Sequence, residues 1–236
     1  MNPNFKNLNF GSLLTEKNVK TIKGLKKGYR TGILYLAPAN ESGVINVCPS
    51  ASVGCKATCL FTAGHGRYDN VRQVRINRTL FYKSNPKAFA ELLSQDVASK
   101  IQKFEKSGFI PAFRINGTSD LPKLALPLAE QFPEVQFYDY TKIPKPWLRT
   151  RKNYDLTFSA SETNLRETMD ALANGINAAV VFSTKPGQAL PDSYLGYEVI
   201  SGDETDLRFL DKKGVVVGLT AKGKARKDTS GFVVQV

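Results

Sequence analysis

The chain has 236 residues, 42% of them hydrophobic and 23% charged, a balance that suits one well-filled domain and excludes an intrinsically disordered chain. No run approaches the roughly 20 apolar residues of a membrane span, and the opening Met1-Asn2-Pro3-Asn4-Phe5-Lys6 lacks the apolar core of a signal peptide, so the expectation is a cytoplasmic protein with no membrane partner. Lysine and arginine exceed aspartate and glutamate by 12, a positive field that either attracts DNA or RNA or only keeps the chain in solution.

In chain order, residues 1–30 are basic and weakly patterned, carrying Lys17, Lys20, Lys23, Lys26, Lys27 and Arg30, and read as an arm or cap ahead of a single α/β domain over 31–236. Apolar and β-branched runs at 33–37, 110–115, 135–140, 156–159 and 178–183 alternate with helical patterns, which predicts a mainly parallel sheet with crossover helices. Runs at 197–200 and 215–219 extend it. The longest helix should start at Asn85-Pro86, a capping residue followed by proline at the first helical position. It carries Phe89, Leu92, Leu93, Val97, Ile101 and Phe104 on one face and stops at Gly108. A second helix is expected over 124–132, closed by Pro133, and a third over 163–173, closed by Asn174-Gly175. Right-handed crossovers put every strand-to-helix loop on one rim, where ligand sites of such sheets lie.

The strongest chemical signal is the loop after the first expected strand. All three cysteines, Cys48, Cys55 and Cys59, fall within twelve residues, with six residues between the first two and three between the last two. An odd, clustered set in a cytoplasmic chain points to a metal site rather than a disulfide framework. Three thiolates on one short loop, with Gly54 permitting a tight reversal, can hold an iron–sulfur cluster and leave one iron open. Zinc competes, because His65, the only histidine, follows Cys59 and completes a Cys3His set. Buried, unreactive cysteines are the third reading. A P-loop, a GxGxxG turn, an HExxH helix and zinc-finger spacing are all absent from the sequence.

The cysteine loop, the basic helix after it, Arg114-Ile-Asn-Gly-Thr-Ser-Asp120, Tyr138-Asp-Tyr-Thr-Lys142 and Phe158-Ser-Ala-Ser161 together make the chain, from about residue 33 to its end, resemble a family of bacteriophage proteins described as gene product 88-like. That family looks like a compact relative of radical S-adenosylmethionine (SAM) enzymes. The resemblance implies a partial βα barrel, related to TIM barrels, with a [4Fe-4S] cluster on the first strand-end loop and SAM on the open iron, in the host cytoplasm. Reductive cleavage of SAM then gives a radical that takes hydrogen from a substrate. The cysteine spacing is wider than the common radical SAM spacing, and Thr58 stands before the last cysteine.

The remaining candidates are strand-end polar residues. Asn116, Gly117, Thr118, Ser119 and Asp120 precede a helix; Ser119 or Asp120 can cap it, while Gly117 can let backbone approach a ligand and Asp120 can accept from an ammonium such as that of SAM. Lys142, Ser159 and Ser161 end the next two strands and can bond a ribose, carboxylate or phosphate, or act separately as a surface lysine and helix caps. Basic segments at Arg72, Arg75 and Arg78 and at Lys222, Lys224, Arg226 and Lys227 are candidates for phosphate contact with nucleic acid. Two functions follow as expectations: an iron–sulfur protein of the radical SAM-like type, with a nucleotide or nucleic acid as its candidate substrate, or a non-catalytic nucleic-acid-binding protein with structural zinc.

Overall fold

The computed structural model describes residues 12–16, 19–185 and 187–236. Ten strands form one sheet in the order β1-β2-β3-β4-β5-β6-β9-β8-β7, with β10 also paired to β6. They are β1 Leu14–Thr15, β2 Tyr29–Leu34, β3 Ile110–Arg114, β4 Gln136–Thr141, β5 Tyr154–Ser159, β6 Ala178–Phe182, β7 Ser193–Tyr194, β8 Tyr197–Ser201, β9 Val216–Thr220 and β10 Val233–Val234. Pairing is parallel from β2 through β6, on to β9 and β8, and between β10 and β6. Only β1 on β2 and β7 on β8 run antiparallel. Among the described residues no pairing joins the β1 edge to the β7 edge, so the sheet is open rather than a closed barrel.

Six of the seven expected strands are present in place, because β-branched and aromatic runs suit a pleated, buried surface, while the first, expected over 33–37, runs instead over Tyr29–Leu34 and shares only residues 33 and 34 with the expected run. The helices are α1 Val19–Leu25, α2 Val53–Ala57, α3 Asp69–Ser84, α4 Pro86–Lys106, α5 Pro122–Gln131 and α6 Leu165–Ala173. In α4 the start is as read: the Asn85 side chain accepts from the Ala88 N–H at 3.1 Å, and Gly108 takes φ +78° just past the end. Leu92 alone of its expected face lies toward solvent. In α5 the start differs. Leu121 is its N-terminal flanking residue with no side-chain cap, because Ser119 and Asp120 spend their oxygens elsewhere.

The division at residue 30 is also redrawn. It falls inside β2, and the segment before it is part of the domain: β1 pairs with β2, and Leu13 and Leu14 are buried in the main core. Of the expected arm, 1–11 and 17–18 lie outside the described residues.

Alternation along the strands divides the sheet into two unlike faces. Leu34, Phe113, Phe137 and Leu156 pack with Phe89, Leu93, Val97 and Phe104 of α4 and Leu124 and Leu128 of α5 in one apolar core. The opposite face carries Tyr29, Arg114, Tyr138 and Tyr140 and is covered by the turn containing Asp206, Arg208 and Phe209. Phe209 lies 5.1 Å from Tyr29 and 5.3 Å from Tyr138, ring to ring. Arg114 pairs with Asp206 at 3.1 Å and lies 4.6 Å over Tyr140, so a charge buried on the sheet keeps both a partner and a ring face.

One buried polar junction ties three strands together on the apolar side. Asn116 donates its backbone N–H to Asp139 Oδ1 at 2.7 Å and its Nδ2–H to Oδ2 at 3.0 Å, and the Tyr154 hydroxyl donates to Oδ2 at 3.0 Å. Burial lifts the Asp139 carboxyl from the usual carboxylate range to about 7, against the pull of these donors. An acid whose folded pKa is raised binds more protons folded than unfolded, so its contribution falls as pH rises from the unfolded value through about 7. Urea unfolding between pH 4 and 8 should therefore show stability falling by up to about 1.4 kcal/mol per pH unit from this group. Asp139→Asn, which cannot ionise, should flatten that slope.

Candidate metal centre

The cysteine loop leaves the carboxyl end of β2 and is pinned back onto the sheet. Val47 is fully buried in the core, and its carbonyl accepts from the Asp120 N–H at 2.8 Å. Ala39, at the unusual φ of 48° for a non-glycine residue, donates its N–H to Cys48 Sγ at 3.4 Å. The Cys48 thiol in turn donates to the Thr118 carbonyl at 3.5 Å, which ties the first cysteine to the end of β3.

Cys55 sits within α2. Ser52 caps this short helix by accepting from the Cys55 N–H at 3.1 Å, and Glu162, from the loop after β5, accepts from the Ser52 hydroxyl and from the Gly54 N–H, each at 2.8 Å. A carboxylate at a helix N-terminus satisfies orphan donors and meets the favourable end of the peptide dipoles. Gly54 is required here for a different reason from the expected reversal. Its φ is not positive, and a Cβ would stand 2.8 Å from Phe232 Cβ and 2.9 Å from the Glu162 carboxyl carbon. Cys59 begins the following turn, where the backbone amides of Phe61 and Leu60 act to lower its thiol pKa.

The three thiols share one electrostatic neighbourhood. Burial is the largest influence on each. It pushes Cys48 up to about 12, with Cys59 and Cys55 adding to the rise and the Ala39 N–H opposing it. Cys55 is raised by burial against the opposing charge of Lys142, and Cys59 by burial, with the Phe61 N–H, Arg75 and the Leu60 N–H opposing. Among the described residues no three His, Cys, Asp or Glu side chains gather closely enough to grip a single metal ion. His65 is exposed, its ring 5.8 Å from that of Tyr68.

Of the other predicted residues, the structure brings some to the sulfur loop and uses others inside the fold. Lys142 donates to Ser159 Oγ at 2.6 Å, to the Ser159 carbonyl at 3.1 Å and to the Ala160 carbonyl at 3.2 Å. Burial lowers its pKa, while Cys55, Asp120, Glu162 and Cys48 pull it up. Asp120 is buried and accepts from the Thr141 hydroxyl and the Lys142 N–H, both at 2.8 Å, so it braces the ends of β3 and β4. Thr118 donates its hydroxyl to the Leu36 carbonyl at 2.5 Å. Asn116 and Ser119 form a buried pair at 2.8 Å. Gly117 lets backbone approach backbone: a Cβ there would stand 2.7 Å from the Leu34 carbonyl oxygen. The Ser161 N–H donates to Asn164 Oδ1 at 2.7 Å, and its hydroxyl lies 3.5 Å from that of Thr163.

Two of the three arginines of the predicted basic strip on α3, Arg75 and Arg78, turn inward, while Arg72 stays partly exposed. Arg78 is buried, donating to the Ser12 carbonyl at 3.0 Å, and burial lowers its pKa to about 10. Arg75 lies 4.7 Å over the Tyr35 ring. Arg72 pairs with Glu41. Their spacing of three residues puts them on one helical face, and that face turns toward the sulfur loop and sheet. Lys222 pairs with Asp203, whereas Lys224, Arg226 and Lys227 are exposed. Glu162 was not foreseen; its one signal was a carboxylate directly after a strand end on the sulfur-bearing rim.

The fold and rim define a mixed α/β protein on a largely parallel sheet, with three thiols and their polar braces at the carboxyl ends of its strands. The chain belongs to the gene product 88 family: the model of that family, described as Gene product 88, matches residues 12–236. No curated protein and no solved structure matches it. No described helix is long and apolar enough to cross a membrane.

Because Glu162 holds the N-terminus of α2 by two bonds, Glu162→Ala should cost about 1–2 kcal/mol. Amide exchange of residues 53–58 should accelerate more than that of β4. Unchanged exchange in that loop would show that the helix keeps its place without the carboxylate.

Proposed function

We propose that Cys48, Cys55 and Cys59 hold a [4Fe-4S] cluster and that the protein is an iron–sulfur protein of the radical SAM-like type, its sheet serving as an unclosed relative of the βα barrel. The observation that carries this reading is that all three thiols lie partly buried at one strand-end rim, where Cys59 and Cys55 raise the Cys48 thiol and the Ala39 N–H donates to Cys48 Sγ at 3.4 Å. Such donors favour thiolate, and hydrogen bonds to sulfur tune a cluster's potential. Lys142 beside Cys55 and Arg75 near Cys59 offset further negative charge. Thiols that raise one another's pKa are unfavourable together until a positive centre inverts the local logic.

The donor set fits a cluster better than zinc. Zinc binds sulfur at about 2.3 Å and draws all its ligands around one point, whereas the thiolates of a cluster each bind a separate iron and stand farther apart. The exposed His65 supplies no fourth ligand to a compact set. When bound, the cluster supplies one-electron chemistry and, at an iron without a protein ligand, a place for SAM. Around it, Lys142 and Asp120 fix the ends of β4 and β3, and the exposed cations Lys224, Arg226 and Lys227 suit a phosphate-bearing substrate such as a nucleotide or nucleic acid.

Anaerobic reconstitution tests the cluster. The wild-type protein should turn brown and hold about four irons per chain, and Cys48→Ala, Cys55→Ala and Cys59→Ala should each lose most of them. Full iron in all three variants would reject the ligand set, and stoichiometric zinc in a colourless protein would favour the structural-metal reading. Calorimetry with SAM on the cluster-loaded protein then separates a SAM site from a bare cluster. For the polyanion, affinity for DNA and RNA oligonucleotides should fall steeply with salt as counterions are released; no binding at low salt would reduce the net charge to a solubility feature.

A further inference from the structure

Residues 228–236 lie across the sulfur loop and are fastened at both ends by few bonds. At the far end β10 pairs with β6 through Val233 and Val234 alone, and the Val236 N–H donates to Ser183 Oγ at 3.1 Å. At the near end Asp228 closes a turn, its carboxylate accepting from the Ser230 hydroxyl at 2.7 Å and from the Val233 N–H at 2.9 Å. Between these ends the segment passes over Gly54, the residue before Cys55.

That passage is a close one. Gly54 is buried although its neighbours Val53 and Lys56 are exposed, and a Cβ on it would run into the Ser230 hydroxyl and stand 2.8 Å from Phe232 Cβ. Gly231 lies against the carboxylate that holds α2: a Cβ there would stand 3.6 Å from Glu162 Cβ. The Phe232 ring is 5.4 Å from Lys142 Nζ, so the segment spans α2, its capping acid and the lysine beside them.

The sulfurs are moored differently. Cys48 is tied to the ends of the sheet through the Ala39 N–H and the Thr118 carbonyl. Cys55 has its place only through α2, and a helix of five residues does not hold itself in water. It stands while Ser52, Glu162 and the segment over Gly54 hold it. A segment with a two-residue strand belongs to the part of a fold that opens first. We propose that residues 228–236 are a strap that gates Cys55: closed, it presses α2 against Glu162, and released, it frees α2 and opens Cys55 to solvent while Cys48 stays fixed to the sheet. The inference does not rest on iron at the cysteine loop, since a metal ion or a thiol reagent would reach Cys55 through the same opening.

Alkylation by N-ethylmaleimide, followed cysteine by cysteine by peptide mass spectrometry on the reduced, chelator-treated full chain, reads the opening. Phe232→Ala should speed alkylation of Cys55 about tenfold and leave Cys48 within about twofold of wild type. Gly54→Ala raises the helix propensity of α2 but sets a methyl group against Ser230 and Phe232, so it should also speed Cys55 selectively, which loss of helix propensity cannot explain. The proposal is overturned if Cys55 in Phe232→Ala reacts at the wild-type rate, or if Cys48 accelerates as much as Cys55, the sign of a loosened fold rather than a released strap. Should Phe232→Ala fail to fold, Gly54→Ala decides by the same two criteria.

Discussion

Parallel pairing of β2 through β6 and on to β9 is the constraint on which the rest depends. Each parallel pair needs a crossover, and each crossover returns the chain so that the next strand ends on the same side. Cys48 after β2, Asp120 after β3, Lys142 after β4, Glu162 after β5, Thr184 after β6 and Arg226 after β9 are thereby neighbours along one rim, although the first and last are far apart in the chain. The apolar face under α4 and α5 keeps the strands in register; a slip by one residue would turn Phe113 and Phe137 away from the core.

Braces at this rim are charged or polar groups that serve the backbone first. The Asp120 carboxylate holds the start of the loop after β4, and the Glu162 carboxylate holds α2. Lys142 is satisfied by three oxygens at the end of β5. These contacts tie the loops that carry the thiols to the ends of the strands. They also bring the Asp120 and Glu162 carboxylates and the Lys142 ammonium close together, so that the thiols feel both signs of charge and their own mutual repulsion.

The positive net charge divides into structural and uncommitted parts. Arg78 and Arg114 are interior groups, held by a carbonyl and by Asp206 respectively, and Glu16 gathers Arg30, Lys100 and Lys103. Burial acts to raise the Glu16 pKa, but bonds and charge from Lys100 and Lys103 outweigh it and bring the carboxyl down to about 2. Lys224, Arg226 and Lys227 stay exposed near the sulfur loop, while other exposed cations such as Lys26, Lys27, Lys83 and Lys152 are spread over the rest of the surface.

Much of this protein was readable from residue order. Six of the seven principal strands, the start of α4 at Asn85-Pro86 and the clustering of the cysteines follow from local pattern, because periodicity, capping and spacing act over a few residues. The two-residue strands β1, β7 and β10 were not visible, since so short a stretch has no period and exists only where a neighbour offers its edge. Partner choice was equally hidden. Gly54 looks like a turn glycine and Gly117 like a place for backbone to approach a ligand, and both are places where other parts of the chain come close, while Asp120 looks like a helix cap but bonds to β4. Arg75 and Arg78 look like a surface strip and are turned inward. The sequence alone determined which chemistry the chain carries, because residue type and spacing are local properties. Only the tertiary structure decided which of those groups meet and which are used up in the fold, because that depends on contacts between residues distant in the chain, from the 22 positions between Asp120 and Lys142 to the 108 between Gly54 and Glu162.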